Sequence, residues 1–318
     1  MTRSLTIAFL ATGICLASVG AQQPAGAPLE IRTLSARAEL VSGGDVLIEI
    51  AGPAGLRADN VTIRLNGRDV TATFKPVADS GAVVGLLTGL RVGPNAVEAA
   101  MGDGKVQLTV VNHPVTGPLL YSPHQMPFVC ETEAHGLGAA LDQDCSATAM
   151  VEYFYRSEPT SAPTNQGDLA AGDNANGFQG GNPSPYKRLD PGGPRPTDIL
   201  MTTTTEGNTV PYIVRREMGT INRAVYSIAF LHEPGTPLPT PWSAGPTWNG
   251  RLVYSFGGGS QAGYHQGRTV GGLRGNLQNL EDSQLGDFPI STGYALVGAS
   301  LNVFGTYAND VVSAETMM

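Results

Sequence analysis

Short runs in which hydrophobic and polar residues alternate follow one another from residue 29 to residue 113. Examples are LEIRTLSA, NVTIRLNGRDVTATF and KVQLTVVNH, and turns rich in Gly, Asn and Asp separate the runs. A period of two is the pattern of a half-buried β-strand, and Asn66-Gly67 between two such runs is typical of a tight hairpin. Residues 29–113 are therefore predicted to form an all-β, immunoglobulin-like sandwich domain.

The pattern changes beyond a linker at residues 114–118. One segment after it, SATAMVEYFYRS, has the spacing of a helix, and long stretches rich in Gly, Pro and Asn surround it. From residue 211, four short apolar segments predict strands, with helices predicted after the third strand and, at NDVVSAETMM, after the fourth. This alternation of strands and helices is typical of an α/β sheet, so residues 119–318 are predicted to form an α/β domain.

The amino terminus has the layout of a secretory signal peptide. Arg3 precedes a short apolar run, and small residues follow it, with Val19 and Ala21 at the key positions before a predicted cleavage site. The apolar run is too short to cross a membrane. Residues 1–21 are therefore predicted to direct the chain to the periplasm or out of the cell, and no membrane association is expected after their removal.

Export determines how the cysteines are interpreted. Cys15 lies in the signal peptide, so the mature chain retains Cys130 and Cys145. Two cysteines in an oxidising compartment are candidates for a disulfide, and two buried free thiols are the alternative.

Charge and motif spacing limit the possible partners. The formal net charge is −8 and the basic residues are scattered, which argues against a nucleic-acid partner. The segment DNANG, residues 173–177, has Ala175 where a calcium ligand is needed, and no His, Cys or Asp cluster has the spacing of a zinc site. We expect no metal and no cofactor.

The segment FGGGS, residues 256–260, follows a predicted strand and is the candidate for chemistry. Gly257, Gly259 and Ala262 match a dinucleotide-binding pattern, but the helix that this pattern requires does not follow. Ser260 in G-x-S-x-A is close to a nucleophile elbow, which also requires a following helix. The later histidine, His265, is only five residues away, which argues against it as the base of such an elbow. The third interpretation is an oxyanion loop, in which backbone N–H groups hold a negative charge. An ordinary flexible turn is the fourth.

Longer segments of the second region resemble a known family. PYIVRREMGTINRAVYSIAFLHEP, WNGRLVYSFGGGSQAGYHQG, GYALVGASLNVFG and NDVVSAETMM together resemble secreted bacterial proteins of the domain of unknown function 6351 family. That family is similar to α/β-hydrolases and loosely similar to tannase-type and hydroxybutyrate-oligomer esterases. The resemblance covers residues 119–318 and implies an α/β-hydrolase-like domain that acts on small or oligomeric esters.

The resemblance also implies roles for the glycine loop. The oxyanion hole is expected to comprise the N–H groups of Gly257, Gly258, Gly259 and Ser260. His265 is a candidate for the mouth of the pocket, although a packed or solvated histidine is the favoured interpretation because the sequence shows no partner for it. A serine on a nucleophile elbow is expected beyond Met318. On this interpretation the chain is the N-terminal part of a longer secreted esterase, its α/β domain is incomplete, and residues 1–318 alone are inactive.

Two alternatives remain open from the sequence. In the first, Ser260 itself is the nucleophile of a hydrolase. In the second, the chain is a non-enzymatic exported module whose sandwich domain docks to a polymer or a cell surface, and the glycine loop is only a turn.

Overall fold

The computed structural model describes residues 28–77, 81–120, 123–124, 126–157, 186–254, 264–267, 287–302 and 315. The predicted signal peptide and the glycine loop lie outside these residues, as does most of the helix predicted at NDVVSAETMM.

The described part of the first region contains nine strands in two sheets. They are β1 (Glu30–Thr33), β2 (Val41–Ser42), β3 (Asp45–Ala51), β4 (Thr62–Leu65), β5 (Arg68–Asp69), β6 (Phe74–Pro76), β7 (Ala82–Thr88), β8 (Gly93–Met101) and β9 (Gly104–His113). One sheet has the order β1-β3-β7-β6 and the other the order β2-β9-β8-β4-β5. Neighbouring strands are antiparallel except β2 and β9, which are parallel.

Both sheets contribute side chains to one hydrophobic core. Ile48 of β3 and Ile63 of β4 are fully buried, and buried and more exposed positions alternate along both strands. This is the burial that a hydrophobic period of two predicts. Asn66 and Gly67 have positive φ angles of 51° and 84° and form the turn between β4 and β5. The hairpin predicted at Asn66-Gly67 is therefore present.

The second region is built around a six-stranded sheet. Its described elements are β10 (Met150–Arg156), β11 (Tyr186–Leu189), β12 (Met201–Thr203), β13 (Thr209–Pro211), β14 (Ile213–Ile221), β15 (Ala224–Leu231), β16 (Leu252–Tyr254), α1 (Phe288–Ser291) and β17 (Ala295–Ala299). The sheet has the order β11-β10-β14-β15-β17-β16, and β12 pairs separately with β13. Within the sheet β16 and β17 are parallel and the other pairs are antiparallel.

The predicted fold class, a sandwich followed by an α/β domain, is wrong. Strands account for 44% of the described residues and helix for 5%, and the sheet of the second region is mostly antiparallel. The segment SATAMVEYFYRS, predicted as a helix, contains β10, whose Val, Tyr and Phe side chains favour a strand. A turn at Asn222 and Arg223, both with positive φ, joins β14 directly to β15 as a hairpin, whereas an α/β sheet needs helical crossovers.

A buried ion pair attaches α1 to the sheet. Arg156 Nη1 lies 3.0 Å from Asp287 Oδ2, and the two side chains are only 0% and 8% exposed. The Tyr212 hydroxyl donates a hydrogen bond to the same carboxylate oxygen. Burial raises the pKa of Tyr212, so this hydroxyl stays protonated. Because Asp287 immediately precedes α1, these contacts fix where the helix meets the sheet.

We expect Asp287→Ala to lower the free energy of unfolding by about 3–5 kcal/mol, because removing one partner of a buried ion pair leaves the other charge in a site of low dielectric constant. Asp198→Ala is the matched control. It removes the surface pair with Lys187, whose two side chains are about half exposed, and surface pairs contribute little to stability. Urea denaturation of both variants measures the difference, and equal losses would contradict a special role for the buried pair.

Candidate functional site

The candidate site lies at the edge of the sheet where the parallel strands β16 and β17 end. The glycine loop begins directly after β16, but Gly257, Gly258, Gly259 and Ser260 lie outside the described residues. Residues 264–267, which follow the loop, are described and lie at this edge. Ser300, the residue after β17, donates a hydrogen bond from its Oγ to the carbonyl oxygen of Gln266 at 2.5 Å.

The backbone of residues 264–267 pairs with the segment that precedes the disulfide. The N–H of Val129 donates to the carbonyl of Tyr264 at 2.9 Å, and the N–H of Gln266 donates to the carbonyl of Val129 at 2.8 Å. His265 and Val129 therefore form a short parallel bridge. This pairing sets the position of the chain where it leaves the glycine loop.

Cys130 and Cys145 form a disulfide, with their Cα atoms 5.2 Å apart, so the predicted bond is confirmed. The buried amide of Gln266 contacts the chain on both sides of this bond. Its Oε1 accepts the N–H of Glu131 at 2.8 Å, and its Nε2 donates to the carbonyl of Cys145 at 3.1 Å. The disulfide and the Gln266 amide together hold the two segments in register.

A histidine–carboxylate pair lies in this framework. His265 Nδ1 is 2.9 Å from Glu131 Oε2, and the His265 side chain is 35% exposed while the Glu131 side chain is 7% exposed. The imidazole is thus partly accessible to solvent, and its carboxylate partner is shielded from water. This is the arrangement in which a carboxylate orients a histidine for proton transfer.

The hydrogen bond to Glu131 determines the tautomer of a neutral His265. An ionised carboxylate only accepts hydrogen bonds, so Nδ1 carries the proton and Nε2 keeps its lone pair. The N–H of Gly267 also lies 3.3 Å from Nδ1, but a protonated Nδ1 cannot accept from it, and the shorter contact with the carboxylate takes precedence. Nε2 is the nitrogen that is able to accept a proton from a nucleophile.

Comparison with known families matches residues 31–318 to the tannase-like family of unknown function, DUF6351. The chain belongs to this family. The match extends over both regions of the protein and confirms the resemblance seen in the sequence. A search of curated proteins finds no match to the chain.

A second histidine–carboxylate pair in this tannase-like protein is much less accessible. His124 Nδ1 lies 2.9 Å from Asp144 Oδ1, and the His124 side chain is 10% exposed. Burial opposes the charged form of Asp144, but hydrogen bonds from His124 and Arg223 outweigh it and lower the pKa of that carboxyl. A Cβ placed on Gly117 would lie 3.1 Å from His124 Nε2, so this nitrogen faces the packed linker, and the pair has a structural role.

Sequence reasoning placed His265 near the site but assigned it no partner. Glu131, Gln266 and the pair of His124 with Asp144 were missed. Glu131 follows Cys130 in the chain, and the predicted disulfide was the one signal that pointed to its neighbourhood. Within the described ranges, no group of three His, Cys, Asp or Glu side chains is arranged to hold a metal ion. No helix in those ranges is long and apolar enough to cross a membrane.

Replacing both Cys130 and Cys145 by serine should lower the free energy of unfolding by roughly 3 kcal/mol, because the bond closes a loop with a sequence separation of 15 residues. Chemical denaturation of the double variant and of the unreduced protein measures this loss. The unaltered protein denatured in the presence of a reducing agent is the control and should match the variant. A difference below about 1 kcal/mol would contradict the expected contribution of the bond.

The stability of the protein should depend on pH through His135. Its Nε2 lies 2.7 Å from the carbonyl oxygen of Gly267, and burial lowers the pKa of His135 below its usual value. At a pH below about 6.5 the unfolded chain therefore binds a proton that the folded state resists, and the free energy of unfolding falls as the pH decreases. His135→Gln should lose part of this dependence in urea titrations at about pH 7 and pH 5. The same dependence in both proteins would contradict the assignment.

Proposed function

We propose that this tannase-like protein hydrolyses carboxylic esters at the sheet edge where His265 and Glu131 meet, with the help of the glycine loop that precedes His265 in the chain. The observation that carries the proposal is that His265, which is five residues after Ser260 in the chain, pairs with the shielded Glu131 carboxylate. Membership of a tannase-like family supports an esterase-type reaction. The alternative of a purely structural turn offers no reason for an accessible histidine to have a buried carboxylate partner.

The proposed reaction divides the work between these groups. Glu131 holds the His265 ring by Nδ1, so that Nε2 takes the proton of a serine hydroxyl as its oxygen attacks the ester carbonyl. The tetrahedral intermediate then carries a negative oxygen, which the N–H groups of the glycine loop stabilise. His265 returns the proton to the departing alcohol, and a water molecule releases the acyl group by the same route in reverse.

Ser260 is the nucleophile that the Glu131 contact supports best, since this contact provides an oriented base, His265, on the segment that follows this serine, while the orienting carboxylate comes from the segment next to Cys130. A serine outside residues 1–318, as the family resemblance implied, is the alternative. We further propose that the protein is exported. The disulfide between Cys130 and Cys145 is typical of proteins in oxidising compartments, and the predicted signal peptide provides the route.

The test is hydrolysis of p-nitrophenyl butyrate by the purified protein and its variants. His265→Gln should lower kcat/KM by about 100-fold or more, as expected for loss of a general base, and Glu131→Gln should lower it less. The matched control is His113→Gln, which replaces a histidine of the first region whose Nε2 contacts the Glu39 carbonyl, and it should leave the activity unchanged. Full activity of the His265 variant would rule out the proposed site.

The nucleophile is identified separately with a fluorophosphonate, which labels activated serines covalently. Mass spectrometry of the digested protein should find the label on the peptide that contains Ser260, and Ser260→Ala should abolish both the label and the turnover. Absence of both label and turnover from the unaltered protein would overturn the proposal for this chain. Turnover that survives in Ser260→Ala but not in His265→Gln would assign the nucleophile to another serine.

A further inference from the structure

A cavity of about 310 Å³ lies on one face of the six-stranded sheet, between the sheet and the loop that connects β15 to β16. Strands β14, β15 and β17 form its floor, and the connecting loop forms its wall. The residues that line it are Arg215, Glu217, Ile228, Phe230, Leu238, Pro239, Trp248 and Ala295. Cavities that bind small molecules have volumes of about 300–1,000 Å³, so this one has room for a molecule of about one ring.

The cavity lies on the face of the sheet opposite to the core of the second region. Val214 and Ala229 belong to that core, and their neighbours along the strands, Arg215 and Phe230, line the cavity. Successive side chains of a strand point to opposite faces. Arg215 and Phe230 are directly paired across β14 and β15, so the floor is a continuous surface and not a gap in the core.

The charged groups of the floor neutralise each other. Arg215 Nη2 lies 2.8 Å from Glu217 Oε2, and the Tyr226 hydroxyl donates to Glu217 Oε1 at 3.0 Å. The pair has no net charge, and the other lining residues are apolar. A charged ligand would lose its hydration on entering without gaining a counter-ion. The lining therefore favours an uncharged ligand.

Two rings determine the shape of ligand that the cavity suits. Phe230 lies in the floor with the guanidinium of Arg215 at 5.9 Å from its ring centre. Trp248 stands in the wall, and its indole Nε1 donates to the carbonyl of Arg251 at 2.8 Å. That hydrogen bond fixes the indole and occupies its one polar atom, so the surface it offers to a ligand is the aromatic ring. Aromatic side chains favour a third ring in stacked or edge-to-face contact.

We propose that this cavity binds an uncharged aromatic molecule of one ring. The inference is independent of ester hydrolysis. Ala295 in the cavity begins β17, whereas Ser300 at the candidate site follows its end, and a strand of this length spans about 13 Å or more. The cavity is thus a separate site at the other end of the same strand.

The test uses Trp248 as a reporter. The sequence contains two tryptophans, and Trp242 packs against Lys75 instead of lining the cavity. In a Trp242→Phe protein, nitrobenzene, an uncharged aromatic quencher, should quench the fluorescence of Trp248 with a saturable dependence on its concentration. Quenching that rises linearly to the solubility limit would overturn the proposal.

Competition with nitrobenzene then tests the class of ligand. Benzamide should compete at least about tenfold better than benzoate, which has the same ring and shape but a negative charge, because a carboxylate loses its hydration on entering a cavity that offers it no counter-ion. Benzamide should also compete better than cyclohexanecarboxamide, which keeps the amide but lacks the aromatic ring. Equal or better competition by benzoate or by cyclohexanecarboxamide would contradict the proposed class.

Variants in the same Trp242→Phe background locate the binding. Ala295→Leu fills the floor and should weaken nitrobenzene binding at least about tenfold, by occupying the volume that the ligand needs. The matched control, Val297→Leu, changes a neighbouring residue on the same face of β17 that does not line the cavity, and it should bind normally. Unchanged binding by Ala295→Leu would place the ligand elsewhere.

Two further variants keep the test decisive if Ala295→Leu fails to fold. Leu238 is half exposed, so Leu238→Ala should fold normally and bind several-fold more weakly because it removes part of the wall. Glu217→Gln removes the counter-ion of Arg215 and should shift the competition toward benzoate by about fivefold or more, as a newly uncompensated guanidinium attracts the carboxylate. Failure of both effects would overturn the proposal.

Discussion

The buried side-chain amide of Gln266 joins segments that are far apart in the sequence. Its oxygen and nitrogen bond to the two sides of the disulfide, and the carbonyl of the same residue accepts from Ser300 at the end of β17. The Ser300 oxygen in turn accepts the N–H of Val225 on β15. A buried polar group without its partner costs about 1–3 kcal/mol, so none of these segments can shift without loss to the others. The exit of the glycine loop, and with it His265, is held by this network.

A buried carboxylate, Glu315, and a buried guanidinium, Arg223, also hold this edge of the sheet. Glu315 accepts the N–H groups of Leu119 and Leu120 at 3.0 Å and 2.7 Å, and the side-chain amide of Asn222 at 3.3 Å. It thereby ties residue 315 both to the chain directly after the linker and to the turn between β14 and β15. On the other side of that turn, Arg223 pairs with Asp144 at 3.0 Å. A charge removed from water is tolerated when it has such partners. These partners of Glu315 and Arg223 lie outside the strands, so these contacts hold parts of the chain that strand pairing does not.

Patterns that act over a few residues were predictable from the sequence. Asn66-Gly67 forms its hairpin because the required positive φ angles are a property of those two residues. The strands at PYIVRREMGTI and RAVYSIAFLHEP appear as β14 and β15. The disulfide followed from the count of cysteines in a chain predicted to be exported. The segment of β10 was misassigned because a short apolar run suits either a strand or a helix, and the neighbouring strand β14 decides between them.

The contacts of the candidate site were not predictable for a different reason. Glu131 and His265 are 134 positions apart in the sequence. Two residues with that sequence separation leave no periodic pattern that would show that they meet. Their meeting depends on the disulfide loop, the Gln266 amide and the end of β17 together. The prediction of an α/β domain failed for a related reason. It took the order of strands and helices along the chain as the guide to the fold, whereas β14 and β15 pair as an antiparallel hairpin and most strand pairs of the described sheet are antiparallel.

The two proposed sites share β17 but are expected to act independently. This strand is hydrogen-bonded on both sides, to β15 and to β16, so it cannot slide toward either end without breaking a ladder. Coupling between sites requires an element with two alternative arrangements. A strand that is hydrogen-bonded along both edges has only a single arrangement. A ligand in the cavity near Ala295 therefore has no route along β17 to reorient His265, whose position is set by Glu131 and Gln266 from outside the sheet.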